Sequence, residues 1–530
     1  MLLATLIAAS LPAQTSLFTI RDSNPALNFG QTAVGVGDVD ADGFADFAFG
    51  KPYTANGTGE VVVHSGRDAH LILRVSGDPN AGALFGWSVA GAGDLDRDGR
   101  ADLIVGAIAH AANGLAAGAV YVVSGRDGKV LHTWLGDGPG DLLGSSVGSV
   151  GDLDKDGYPE LISGAPENGG DPVKYYGPGY ARVWSGRDGK VMHTFRGVEI
   201  ASEFGSSVAG AGDIDGDGYL DVLVGSLLEW RGVGSVRLYS GRTFATLLEF
   251  HGESYADHFG MSVAPAGDVD RDGVGDLLIG SVNAFSFLPG TVWVMSGRTG
   301  ATLHKIRGQP KSGMLGIQVA SAGDLDGDGY PDFLASDPMD ATRGTATGCV
   351  RVFSGRTGTE LAAVFGEGGG FGRWAGTVGD ITGDGLPEFA VTAPGALAVT
   401  VISWRSVVAV GTGCGAAVPP QLDATQPVLG RLSTLFVRHA APLQQGVVWI
   451  SGPVTVPLPL GSGCAAYLDP WTTSPVTGLV TDISGRWAQS FPVPPLPALA
   501  GARVALQGGV LAATPLGAAL TNGIAATVQR

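Results

Sequence analysis

An acidic nonapeptide of the form Asp-x-Asp-x-Asp-Gly-x-x-Asp recurs seven times in this 530-residue chain, and each copy runs directly into a short apolar stretch. The copies begin at Asp38, Asp94, Asp152, Asp213, Asp268, Asp324 and Asp380, at intervals of 55 to 61 residues. A period of this size predicts a repeat architecture, in which one supersecondary unit per repeat buries its apolar surface only by stacking on its neighbours.

The spacing within each copy matches the needs of a hard cation. Calcium takes six to eight oxygens, and carboxylates at positions 1, 3 and 5 of a tight loop converge on one point. Glycine at position 6 permits the turn, and an acid at position 9 completes the set. The first loop offers Asp38, Asp40, Asp42 and Asp46; the second Asp94, Asp96, Asp98 and Asp102; the fourth Asp213, Asp215, Asp217 and Asp221. The fifth offers Asp268, Asp270, Asp272 and Asp276, and the sixth Asp324, Asp326, Asp328 and Asp332. Two loops depart from the pattern. The third, Asp152, Asp154 and Asp156, ends in the longer Glu160, and the seventh, Asp380, Asp384 and Glu388, has Thr382 at position 3. The seventh is therefore expected to bind most weakly. Asp-Gly clusters also form ordinary turns, but turns do not need four acids each. These positions hold 27 of the 50 Asp and Glu residues. Carboxylates packed this densely repel one another without a counter-ion. Seven Ca²⁺ would move the formal charge from −18 to −4. Affinities are expected in the extracellular range of about 10⁻⁴ to 10⁻³ M.

The flanking residues define the unit. A Phe-Gly or Leu-Gly step and a small-residue strand precede each loop, as in Phe85 to Gly93 and Phe204 to Gly212, and an apolar strand such as Asp102 to Gly106 follows it. A third alternating stretch ends in Ser-Gly-Arg (Val120 to Arg126), and a fourth runs from Lys129 to Trp134. Four strands in each of seven repeats predict an all-β chain built on a seven-bladed β-propeller. Short Gly-bounded runs of Val, Ile, Leu and Phe argue against the amphipathic helices that flank an EF-hand loop. Blade seven ends at Val399 to Ser403 with no fourth strand after it. Residues 16–21, ahead of Phe29-Gly30, are expected to fill that place and close the ring.

On the Phe-Gly steps, the Gly164-Ala-Pro166 segment and the acidic loops, residues 15 to 405 resemble the FG-GAP repeats of the integrin alpha-subunit head. The resemblance implies a propeller with calcium loops. The chain departs from that family in carrying a metal loop in all seven blades and in showing no inserted von Willebrand-type domain.

Leu2 to Ala9 is a short apolar run followed by Leu11-Pro-Ala13, which reads as a secretory signal over residues 1–13, although the run is short and has no basic residue before it. The propeller is then assigned residues 14–410. No stretch reaches the length of a membrane span, and export is favoured because cytosolic calcium is too low to fill such loops. From Gly411 to Arg530 there are three Asp, no Glu, no Lys and 14 Pro, so residues 411–530 read as a second domain, a small β-sandwich of unknown role. In an exported protein Cys414 and Cys464 are expected to pair, leaving Cys349 as a buried thiol.

In a propeller the calcium hairpins and Ser-Gly-Arg turns share one face, and the loops between second and third strands share the other with the blade crossings. Integrin-family ligand recognition uses that second face. Here it carries Tyr53, Tyr175, Tyr176, Trp230, Phe285 and Phe287, which suit a sugar face or a protein hot spot, or else simply cap the blades. His132, His193 and His304, and the arginines of the Ser-Gly-Arg turns, recur with the repeat and read as scaffold. No nucleophile elbow, zinc motif or phosphate loop stands out, and the acidic charge argues against nucleic acid. The leading expectation is a secreted or cell-surface, calcium-stabilised propeller that binds a protein or polysaccharide. A polysaccharide-acting enzyme of the lyase kind and a passive envelope or matrix component are the alternatives. Oligomeric state is not legible.

Overall fold

In the computed structural model each repeat is a four-stranded antiparallel sheet, and there are seven such sheets. The structure describes residues 15–22, 30, 32–79, 83–167, 177–282, 289–309, 313–344, 347–383 and 385–403, together with the backbone of strands between 408 and 527. Blade one comprises Ala33–Gly37, Asp46–Lys51, Glu60–His64 and Leu71–Ser76, paired in that order. Blade two comprises Phe85–Gly93, Asp102–Ala107, Ala119–Val123 and Val130–Leu135, and blades three to six repeat the pattern as far as Glu360–Phe365.

Burial explains the composition of each strand. Second strands are buried at every residue, as along Asp102–Ala107 and Asp221–Ser226, because both faces pack on neighbouring blades. Their sequences are accordingly near-continuous apolar runs rather than alternating ones. Fourth strands lie at the rim, and Val130–Leu135 has no fully buried residue. The cores sit between blades: Val150, Ile162 and Val183 of blade three meet Phe204, Val208 and Val224 of blade four in one apolar cluster.

Glycine sets how closely blades approach. A Cβ on Gly164, in the second strand of blade three, would lie 1.7 Å from the carbonyl oxygen of Gly205, in the Phe-Gly step of blade four. Gly50 stands in the same relation to Gly86 at 1.8 Å. Hydroxyls add to the contact where Ser88 Oγ donates to Gly144 O at 2.7 Å and Ser207 Oγ donates to Gly260 O at 2.7 Å.

Blade seven joins the two ends of the propeller. Its strands Ala375–Gly379, Glu388–Ala393 and Ala398–Ser403 are completed on the outside by Thr15–Arg21. The Asp22 amide donates to Leu397 O at 3.0 Å, and the Asp22 carboxylate meets Lys51 of blade one at 2.7 Å. The N-terminal strand thus covers an edge that would otherwise present unpaired backbone groups.

Contacts divide the chain into Ser16–Ile402 and a second unit containing Ser403–Arg530. In the second unit Leu432–Arg438 pairs with Gln421–Ala424 and Trp487–Pro492, while Gln445–Ser451 pairs with Ser474–Val480 and Arg503–Leu511. Cys414 and the side chain of Cys464 lie outside the described residues, as does the proposed signal segment.

Candidate metal centres in the blade hairpins

Each acidic loop joins the first strand of a blade to the second, and its carboxylates first organise the loop itself. In the first loop the amides of Asp42 and Gly43 donate to Asp38 Oδ1 and Oδ2 at 3.1 and 2.9 Å, and the Asp42 amide also reaches Asp40 Oδ1 at 3.1 Å. Asp94 and Asp152 hold their loops by the same bonds to positions 5 and 6. Such bonds to carboxylate oxygens fix the turn that the position-6 glycine allows, with Gly43 at φ 88°.

The position-9 acid is fully buried in the loops, as Asp46, Asp102, Asp221, Asp276 and Asp332. Asp46 Oδ2 accepts from the Val39 amide at 2.7 Å, and Oδ1 accepts from Gly66 of the Ser-Gly-Arg turn at 3.0 Å. The equivalent bonds join Asp102 to Gly125, Asp221 to Gly241, Asp276 to Gly297 and Asp332 to Gly355. A Cβ on Gly66 would lie 1.9 Å from Ala45 O, so only glycine lets the turn come this near. The Ser-Gly-Arg motif is therefore the seat of the acidic loop. Its arginine returns to the position-5 acid: Arg67 to Asp42 at 3.7 Å, Arg126 to Asp98 at 3.9 Å, Arg187 to Asp156 at 3.8 Å, Arg356 to Asp328 at 4.0 Å, and Arg298 to Asp272 at 2.7 Å. Arg242 instead lies over the Tyr219 ring.

Carboxylate oxygens converge in these loops. One oxygen each from Asp38, Asp40 and Asp42 lies within 4.8 Å of the others, and the same holds for Asp94, Asp96 and Asp102; for Asp152, Asp154 and Glu160; for Asp213, Asp215 and Asp221; and for Asp268, Asp270 and Asp276. Burial, opposed by the amide bonds, pushes the carboxyls of Asp46, Asp102, Asp276 and Asp332 up to about 6, and that of Glu160 to about 7. The same cause raises Asp221. Glu160 Oε1 is buried without a hydrogen-bond partner, while Oε2 accepts from the Leu153 amide. An all-oxygen donor set, buried acids held above their ordinary pKa and an orphaned carboxylate oxygen fit a hard divalent cation, whose charge would reverse the shifts. In the seventh loop Glu388 accepts from the amides of Ile381 and Thr382 and from the Thr382 hydroxyl, so one of its oxygens is turned to threonine. Asp384 lies outside the described residues.

Of the candidate ligand-face residues, Tyr53 and Trp230 stand in equivalent second-to-third-strand turns and are exposed. Trp230 stacks on His251 with centroids 3.8 Å apart, and Tyr53 meets Trp87 edge-on at 6.5 Å. Tyr175, Tyr176, Phe285 and Phe287 lie outside the described residues. The histidines are held as structure: His132 stacks on Trp134, His193 on Phe244, and His304 Nε2 bonds Gly355 O at 2.6 Å. Cys349 is buried, and burial raises its thiol pKa well beyond the ordinary range. Sequence reasoning missed the central channel. The residues just after the Phe-Gly steps line it, and Trp87, Met261, Ile317 and Arg373 break the small-residue habit there.

A family model described as FG-GAP-like repeat matches residues 152–224 and 324–391, and one described as FG-GAP repeat matches residues 30–64 and 85–123. Integrin alpha-5 of Xenopus laevis is 33% identical over 211 residues, covering 36% of this chain and 19% of that protein. Integrin alpha-V of Gallus gallus is 31% identical over 212 residues, covering 36% and 20%. Integrin alpha-6 of Homo sapiens is 33% identical over 189 residues, covering 34% and 16%. The match thus spans about a fifth of the length of these relatives or less. A solved structure titled "Structure of Dos1 propeller" aligns with a TM-score of 0.42 at 13% identity, covering 74% of this chain and 96% of that one. The chain carries FG-GAP repeats, and over the repeat region it is similar to integrin alpha subunits.

Proposed function

We propose that the chain is an extracytoplasmic FG-GAP propeller, stiffened by Ca²⁺ in the first hairpin of its blades, that binds a protein or polysaccharide on the opposite face. The observation that carries the calcium reading is the convergence of three carboxylates in one loop after another, with the position-9 acid buried and raised in pKa. Each ion would tie a hairpin to the Ser-Gly-Arg turn that seats it, so calcium acts on rigidity and not on chemistry. Likeness to integrin alpha subunits over the repeats supports the binding reading and an extracellular setting. No helix among the described residues is long and apolar enough to cross a membrane.

Calorimetric titration of metal-free protein with CaCl₂, paired with thermal unfolding, tests the metal. Several sites and a rise in Tm are expected, and an unchanged Tm would refute structural calcium. Ligand binding is tested by presenting the calcium-loaded protein to panels of polysaccharides and extracellular proteins, with Trp230→Ala beside the parent chain. Silence on both panels would leave the passive matrix component as the surviving reading.

A further inference from the structure

Residues in or just ahead of the first strands of all seven blades enclose a central cavity of about 320 Å³, lined among others by Trp87, Gln318, Arg373 and Trp374. Arg373 is the one charged residue in that lining. It is exposed to the open space of the channel, yet the surrounding blades desolvate it enough to lower its pKa. That combination belongs to a cation set in a channel. Among the described residues no carboxylate lies within ion-pair distance of it, whereas the more buried Arg182, Arg237 and Arg351 each hold an acid. The phenol of Tyr53 is near enough to act electrostatically on the guanidinium, and Tyr53 packs against Trp87. Arg373 thus shares the cavity lining with Trp87 and Trp374, with the Tyr53 phenol at its side. A guanidinium that faces the channel with no acid in ion-pair distance is placed to hold a bound anion by charge-assisted hydrogen bonds.

The rest of the lining narrows the ligand. Ser88, Ser207 and Ser262 each donate their hydroxyl proton to a backbone carbonyl of the next blade, at 2.7, 2.7 and 3.0 Å. Toward the cavity they are left as acceptors, which repel a carboxylate and welcome hydroxyl donors. The channel lining thus combines one cation, Arg373, with the Gln318 amide, hydroxyl-accepting serines and the indoles of Trp87 and Trp374. We propose that the channel mouth binds a uronate residue of an acidic polysaccharide, its carboxylate on Arg373, its ring against Trp87 and Trp374, and its hydroxyls on the serines. This rests on the ligand-binding reading above and places the ligand in the channel as well as on the outer turns.

The test is calorimetry of the calcium-loaded full chain with oligogalacturonate, its neutral galactose counterpart and a Glu-rich hexapeptide, using the parent chain, Arg373→Gln, Trp374→Ala and Trp230→Ala. Oligogalacturonate is expected to bind, the neutral sugar at least about tenfold more weakly, and Arg373→Gln to lose about tenfold or more in affinity with an unchanged Tm. Trp374→Ala should weaken both sugars. Absence of uronate binding, or binding indifferent to Arg373→Gln, overturns the proposal, as does hexapeptide binding that depends on Arg373 while the uronate does not bind. Binding of any ligand that depends on Trp230 and not on Arg373 would overturn the channel site alone and leave the propeller a binding module.

Discussion

Single residues decide whether a blade can be metal-bound or merely acidic. Glu160 is buried, one of its oxygens has no partner, and its carboxyl titrates near 7. Glu160→Gln should therefore make the metal-free protein more stable at pH 8, where the native glutamate is charged, and should remove one site or weaken it in a calcium titration; calorimetry and thermal melts report both. Glycine acts by size at this scale. Gly164→Ala drives a Cβ to 1.7 Å from Gly205 O, whereas Gly148, in the first strand of the same blade, has its nearest neighbour at 3.8 Å. Urea unfolding is expected to show a loss of about 1–3 kcal/mol for Gly164→Ala, the range of overpacked sites, and much less for Gly148→Ala. Equal losses would remove the close-approach argument. The acids that converge were legible because a repeated polar pattern has few physical explanations. Arg373 was not, because a lone arginine after a Phe-Gly step looks like any surface cation until seven strands are brought round it.

At the scale of the element, the hairpin, its Ser-Gly-Arg turn and the closing strand behave as units. Asp46, Asp102, Asp276 and Asp332 have folded pKa values near 6, above the ordinary carboxylate range. For an acid whose pKa rises on folding, the native state holds more protons, and stability falls as pH rises between the unfolded and folded values. Metal-free protein should thus lose Tm between about pH 4 and pH 7. Saturating calcium should reverse the slope, because protons then compete with the ion; melts across that window check both signs. The closing strand gives a separate prediction. Deleting residues 15–21 uncovers Ala398–Ser403, and should lower Tm and produce concentration-dependent self-association in gel filtration. An unchanged, monomeric protein would show the strand to be dispensable. Strand order within a blade was readable from alternation and Gly-bounded runs. The seating of the position-9 acid on the Ser-Gly-Arg amide was not, since the two motifs are about 20 residues apart and meet only when the second and third strands pair.

For the whole molecule the seven sheets share one logic: each blade is thin, and its core is completed by the next. Shared cores of this kind couple neighbouring blades, and an ion bound in one hairpin would stiffen the contact between blades as well as its own loop. The sequence by itself determined the number of blades, the acids that converge and the glycines of their turns, because these are local patterns repeated in register, and repetition makes weak signals strong. Tertiary structure alone decided that Glu160 keeps an orphaned oxygen, that the Ser-Gly-Arg turn seats the acidic loop, and that Arg373, Trp87 and Tyr53 from three blades come together at the channel mouth. The physical reason is range. Turn chemistry and strand periodicity act over a few residues, whereas desolvation and the pairing of charges depend on which distant segments the closed ring makes neighbours.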